Sequence, residues 1–149
     1  MSQAMNKGEQ AMAYHKQGYN CAQAVIMAFA PEMGISEGQA SRMGQALGGG
    51  VGQMREVCGA ITGAAVVLGM VCGMERAPTP EEKKVFYQRM RSLGEAFEAK
   101  HETSQCMRLL GLQTRDDPMP APEDRPCNQL IYDMAMMLKD DIDADDPNS

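Results

Sequence analysis

Eighteen consecutive residues, Val57 to Met74, carry no charge, and any fold this chain adopts has to find a place for them. A run of that length sits near the lower limit for a membrane span, about 17 to 25 residues. Its composition points elsewhere. Gly59, Gly63, Gly69, Gly73, Thr62 and two cysteines interrupt it, and its flanks, Arg55 and Glu56 on one side and Glu75 and Arg76 on the other, show no positive-inside asymmetry. From Val57 to Val71 the apolar residues surround the segment instead of forming one stripe, as in a helix covered on most sides. The expectation is a buried central helix, the most buried of a water-soluble protein that does not span a membrane.

The rest of the sequence is punctuated for helices. β-Branched and aromatic residues do not alternate with polar ones over any long stretch, so strand signals are scarce and the expected class is all-α. A first helix runs from Gln3 to Lys16 and a second from Cys21, capped by Asn20, to Ala30 before Pro31. Ser36 and Gln39 form a capping box for a third, Glu37 to Leu47, which Gly48, Gly49 and Gly50 break. Thr79, Pro80 and Glu82 start another, with Phe86, Met90, Leu93 and Phe97 as its apolar stripe. A short helix over Thr103 to Leu110 and a last one over Arg125 to Lys139 flank a proline-rich loop. At 149 residues the chain is the size of one domain. The expected layout is a single-domain bundle of six or seven helices over residues 1–139, around the uncharged Gly/Ala-rich helix, with residues 140–149 an acidic flexible tail.

A net charge of -6 gives no basic field for phosphate backbones, so nucleic acid is excluded as the partner. The polar start, Met1 to Lys7, leads into no apolar run and reads as neither export nor lipidation signal, which makes the cytoplasm the expected compartment. The chain has 15 methionines and no tryptophan, so its core is an adaptable one.

Chemistry resides in the cysteines. Asn20 precedes Cys21, Ser104 lies two residues before Cys106, Pro126 precedes Cys127, and Cys58 opens the uncharged helix. Free N–H groups at a helix start stabilise a thiolate, which makes it a better nucleophile and metal ligand. No two of the four form a local C-x-x-C chelate, so a shared site has to be assembled by the fold. Cys72, inside the uncharged run, reads as a small buried hydrophobe. Gly59 and Gly63, four apart beside Ala60 and Ala64, leave a face without bulk that another backbone or a cofactor can approach. His15 and His101 are expected to be exposed near helix ends.

The segments Gly18-Tyr19-Asn20-Cys21-Ala22-Gln23-Ala24, Gly48-Gly49-Gly50 and Cys58-Gly59-Ala60-Ile61-Thr62-Gly63, followed by Cys106 and Cys127, resemble the C_GCAxxG_C_C family of redox-active proteins. The resemblance implies a helical protein whose cysteines are redox-active or hold a cluster, often considered alongside transport functions, with an unknown redox or transport-associated partner. It carries over to Cys21, Cys58, Cys106 and Cys127, and leaves Cys72 out. Four thiolates are the standard ligand set of a [2Fe-2S] cluster, and electron transfer is then the expected function. The same ligands could hold tetrahedral Zn, act as a metal-free thiol-disulfide pair, or only organise the fold of a non-catalytic binding module. Gly59 and Gly63 would serve the cofactor's approach.

Overall fold

The computed structural model describes residues 4–145. Among them are eight α-helices and no named strand, which makes the chain an all-α single domain. The order is α1 (Lys7–Lys16), α2 (Cys21–Ala28), α3 (Ala30–Met33), α4 (Glu37–Gly44), α5 (Gly59–Cys72), α6 (Pro80–His101), α7 (Cys106–Leu109) and α8 (Cys127–Asp145). Asn6, Asn20, Ser36 and Thr79 each close a capping box with the residue three further on. Each box satisfies two backbone N–H donors that a helix start leaves open.

The centre of the bundle is α2. It packs against α1, α4, α5 and α8, and every residue from Ala22 to Ala28 is buried. This corrects the expectation that the uncharged helix is the most buried one. Ala65, Gly69 and Met70 of α5 face solvent, because α6 touches α5 only lightly while α2 is enclosed on all sides. Seven apolar or small side chains in eight residues let α2 accept neighbours in every direction. Its one amide, Gln23, is satisfied by Ser41 and by the backbone N–H of Asn20.

The small face of α5 is taken by a backbone. A Cβ on Gly63 would lie 2.8 Å from the Ala22 carbonyl oxygen, and one on Gly59 would lie 3.0 Å from the Ala22 nitrogen. The two helices therefore approach at a distance that only glycine permits. No helix of the described residues is long and apolar enough to cross a membrane.

Several boundaries differ from expectation: α1 starts at Lys7 behind its cap Asn6, α4 ends at Gly44 and gives way to a 3-10 turn over Gln45–Leu47, α7 starts at Cys106 and α8 at Cys127. The chain makes a further helical turn, α3, at Pro31, since proline is well suited to a first turn. The last helix runs to Asp145 instead of ending at Lys139, so most of the expected tail is helical. Asp141 and Asp145 pair with Arg89 of α6 at 2.6 and 3.3 Å, which pins that end to the bundle. Gln3, the expected first helical residue, and residues 146–149 lie outside the described residues.

Candidate functional site

The segment between α4 and α5 is where the backbone departs from ordinary geometry. Gly49, Gly50 and Gly52 have positive φ, and so do Val51 (65°), Gln53 (62°) and Arg55 (60°). For a non-glycine residue the left-handed region costs roughly 1–2 kcal/mol, and a β-branched valine there is uncommon. The conformation is held by its own hydrogen bonds: Gln53 N donates to Gly48 O, Arg55 N to Gly49 O and Glu56 N to Gly50 O. Gly50 is obligatory by space as well, since a Cβ would lie 2.5 Å from Glu56 N. Asn20 ties this loop to the start of α2, its Nδ2 donating to the carbonyls of Gly44 and Gln45.

Beyond the loop, Val57 and Gln105 form an isolated antiparallel bridge. Cys58 N donates to Ser104 O, while Cys106 N and Met107 N donate to Glu56 O and Arg55 O. These bonds set the starts of α5 and α7 side by side and bring Cys58 and Cys106 to one wall. Cys21 and Cys127, each the first residue of its helix, come together on another because α2 and α8 pack against each other.

All four cysteines line one cavity of about 780 Å³. Cys58 serves as the N-cap of α5, and Cys106 is the first residue of α7. Every one therefore sits at a helix start, and the packing points the starts at a common space. Cys72, at the far end of α5, does not line it.

The four thiols differ in electrostatics. Cys127 is held down at about 7 by the hydrogen bond from the Cys21 thiol, with Arg125 and Arg55 adding to the effect against the cost of burial. Cys21 is raised correspondingly, by the same hydrogen bond and by burial. Burial pushes Cys58 up to about 12, against the backbone N–H groups of Ala60 and Ile61. Burial also raises Cys106, with the Arg55 guanidinium pulling the other way at 3.9 Å. Cys21, Cys58 and Cys106 are each further disfavoured as anions by one or more of the other cysteines. Such a set stays protonated in part until a cation enters among the sulfurs.

His15 joins the pocket, contrary to its expected exposure. Its side chain, the Cys21 thiol and the Cys127 thiol offer ligand atoms that all lie within 4.8 Å of one another and could hold a metal ion. Its Nδ1 lies 2.8 Å from Asn128 Oδ1. An amide oxygen accepts, so this contact suits the tautomer in which Nδ1 donates and Nε2 is left for a ligand, the usual arrangement behind a metal-ligating histidine. No local signal gives this away, because Asn128 is 113 residues distant in sequence. His101 is also half-buried and lies elsewhere, against Asp133 at 2.8 Å. Of the two glycines expected to serve a cofactor, Gly59 lines the pocket and Gly63 does not. Arg55 also lines the pocket, and its sequence signal is its place three residues before Cys58 at the end of a glycine-rich run.

The donor set fits a metal or cluster: thiolates and an imidazole, with no competing carboxylate lining the pocket among the described residues. No curated protein and no solved structure matches the chain. The family model described as "Putative redox-active protein (C_GCAxxG_C_C)" matches residues 19–140, a span that holds all four pocket cysteines, and the chain belongs to that family.

Proposed function

We propose that the pocket is a one-electron redox centre in which Cys21, Cys58, Cys106 and Cys127 hold an iron-sulfur cluster, [2Fe-2S] being the type that four thiolates in two pairs suit. The observation that carries this reading is the convergence of four helix-start cysteines, distant in sequence, on one cavity. Their arrangement as Cys21 with Cys127 and Cys58 with Cys106 matches a centre whose two irons take two protein ligands each. When bound, such a cluster supplies a reversible one-electron couple.

The chain's own part is to supply anionic sulfur and to offset its charge. Helix-start N–H groups favour the thiolates of Cys58 and Cys127, Arg55 and Arg125 offset charge at Cys106 and Cys127, and burial at Cys58 and Cys106 excludes water. His15 stands beside the Cys21 and Cys127 pair as an alternative ligand, the pattern a mononuclear iron or Zn site would use.

Anaerobic purification followed by iron and acid-labile sulfide analysis and visible absorption tests the reading. Iron and sulfide in equal amounts, lost when any of the four cysteines becomes serine, is the expected result. A colourless protein that takes up neither iron nor sulfide on reconstitution, with all four thiols reduced, would sink it.

A second reading is favoured by the Cys21 and Cys127 contact. In it the Cys127 thiolate attacks a disulfide, forming a mixed disulfide and releasing one thiolate. Cys21, deprotonated with His15 Nε2 as acceptor, then attacks Cys127 sulfur and releases the second, leaving a Cys21–Cys127 disulfide. Two electrons pass from the protein to the substrate. Peptide mapping that finds this disulfide after exposure to an oxidised dithiol, in metal-free protein, is its signature.

A further inference from the structure

We propose that the pocket also takes a small anionic ligand, a molecule bearing a carboxylate or phosphate group, with Arg55 and Arg125 as its counter-charges beside the thiols. This rests on the pocket being the working site, and is independent of which centre the cysteines build.

The chain carries 20 acidic against 14 basic residues, yet Lys16, Arg55 and Arg125 line the cavity and, among the described residues, no Asp or Glu does. A cleft lined by one sign of charge focuses its field on what enters. The segregation is sharpest at Arg55. It is 6% exposed, its Nε has no hydrogen-bond partner among the described residues, and its guanidinium makes a weak contact to Cys106 sulfur at 3.9 Å. Elsewhere in the molecule Arg76, Arg89, Arg91 and Arg115 each face a carboxylate within 4 Å. A buried guanidinium without a carboxylate partner is costly, and here it is held on a left-handed residue whose N–H and carbonyl are both fixed to neighbouring backbone. Such a placement leaves the Arg55 Nε open to a negative charge that enters the cavity, beside the cysteines that the guanidinium already offsets.

Size separates this ligand from the cofactor. A cavity of about 780 Å³ lies in the range of small-molecule sites, roughly 300–1,000 Å³, and exceeds what one metal ion or a two-iron cluster fills. Guanidinium groups match the planar oxygens of carboxylate and phosphate. The net charge of -6 disfavours a polyanion such as nucleic acid.

The test compares two alkylating agents of similar size, anionic iodoacetate and neutral iodoacetamide, on reduced, metal-free protein, with modification of Cys21 and Cys127 read by peptide mass spectrometry. The iodoacetate to iodoacetamide rate ratio should exceed that of the urea-unfolded chain about tenfold, and Arg55→Met or Arg125→Gln should each bring it down several-fold. Millimolar inorganic phosphate or acetate should slow iodoacetamide, and the stronger of the two identifies the anion. A ratio equal to that of the unfolded chain overturns the proposal, as does a raised ratio that neither variant changes. Should Arg55→Met not fold, the wild-type ratio and the Arg125→Gln variant decide. Failure of the redox reading shows separately, in iron, sulfide and disulfide measurements, and leaves these ratios unaltered.

Discussion

Two regions of the bundle treat their polar groups in opposite ways. Along the contact between α6 and α8, charge is answered by charge. Arg89 pairs with Asp141 and Asp145 and donates to Cys72 sulfur at 3.4 Å. Asp133, 4% exposed, accepts from Lys100, His101 and Gln129, which together hold its carboxyl below the usual range against the cost of burial. In the other region four cysteines, a histidine and two arginines surround a cavity, three non-glycine residues are left-handed, and Arg55 Nε has no hydrogen-bond partner among the described residues. The first region spends its polar groups on holding helices together. The second leaves them open at some cost in stability, as functional sites do.

The contrast breaks most directly at the cysteines. Replacing Cys21, Cys58, Cys106 or Cys127 by serine removes one sulfur from the proposed centre, and bound iron and visible absorption should fall to background in each variant, measured on anaerobically purified protein. Retention of the full signal in any one of them takes that cysteine out of the site. Along the satisfied contact the largest effect is on stability: Asp133→Ala removes the buried acceptor of His101, Lys100 and Gln129 and should cost about 1–3 kcal/mol in urea unfolding, with pocket alkylation rates unchanged. A variant that unfolds no more easily would mean that this contact is not structural.

A smaller effect sharpens the inequality within the pocket. Because the Cys127 pKa is lowered, its thiolate persists as pH falls to about 7, whereas an ordinary thiol near 8.5 is mostly protonated there. Cys21→Ala removes the donor responsible first, so the Cys127 midpoint should rise. Its iodoacetamide rate at pH 7 should then drop roughly tenfold in metal-free protein, approaching the wild-type rate at higher pH. An unmoved midpoint would assign the shift to Arg125 and Arg55.

Helix starts were the legible part of this chain, because a capping box is a local signal: Asn20 with Gln23, Ser36 with Gln39 and Thr79 with Glu82 all form as their sequence spacing implies. That same locality placed Cys21, Cys58, Cys106 and Cys127 at helix starts. What local pattern could not give was which helix is most enclosed. An uncharged run such as α5 records the absence of charge rather than the number of neighbours, and α2 wins by position in the bundle. Nor could it give His15, whose role depends on α1 packing against α8, or the unpartnered Nε of Arg55, which depends on what the fold withholds from it. The end of α8 was misread for a related reason: acidic residues after Lys139 look like a solvated tail until Arg89, about fifty residues earlier, is brought alongside.

Cys72 tests the comparison from the side where least should happen. It is the one cysteine at a helix end instead of a start, it is absent from the cavity wall, and burial raises its pKa, with Arg89 opposing. Its sulfur accepts a contact from Arg89, but Arg89 keeps Asp141 at 2.6 Å and Asp145 at 3.3 Å without it, so Cys72→Ala leaves no guanidinium stranded. The loss is one half-buried sulfur at the edge of the core, an effect under about 1 kcal/mol in thermal or urea unfolding, with iron content, sulfide content and the alkylation ratios of Cys21 and Cys127 as in the wild type. If Cys72→Ala instead abolished the centre while the far-ultraviolet circular dichroism stayed native, the division of the molecule into an open region and a satisfied one would have been drawn across the wrong cysteines.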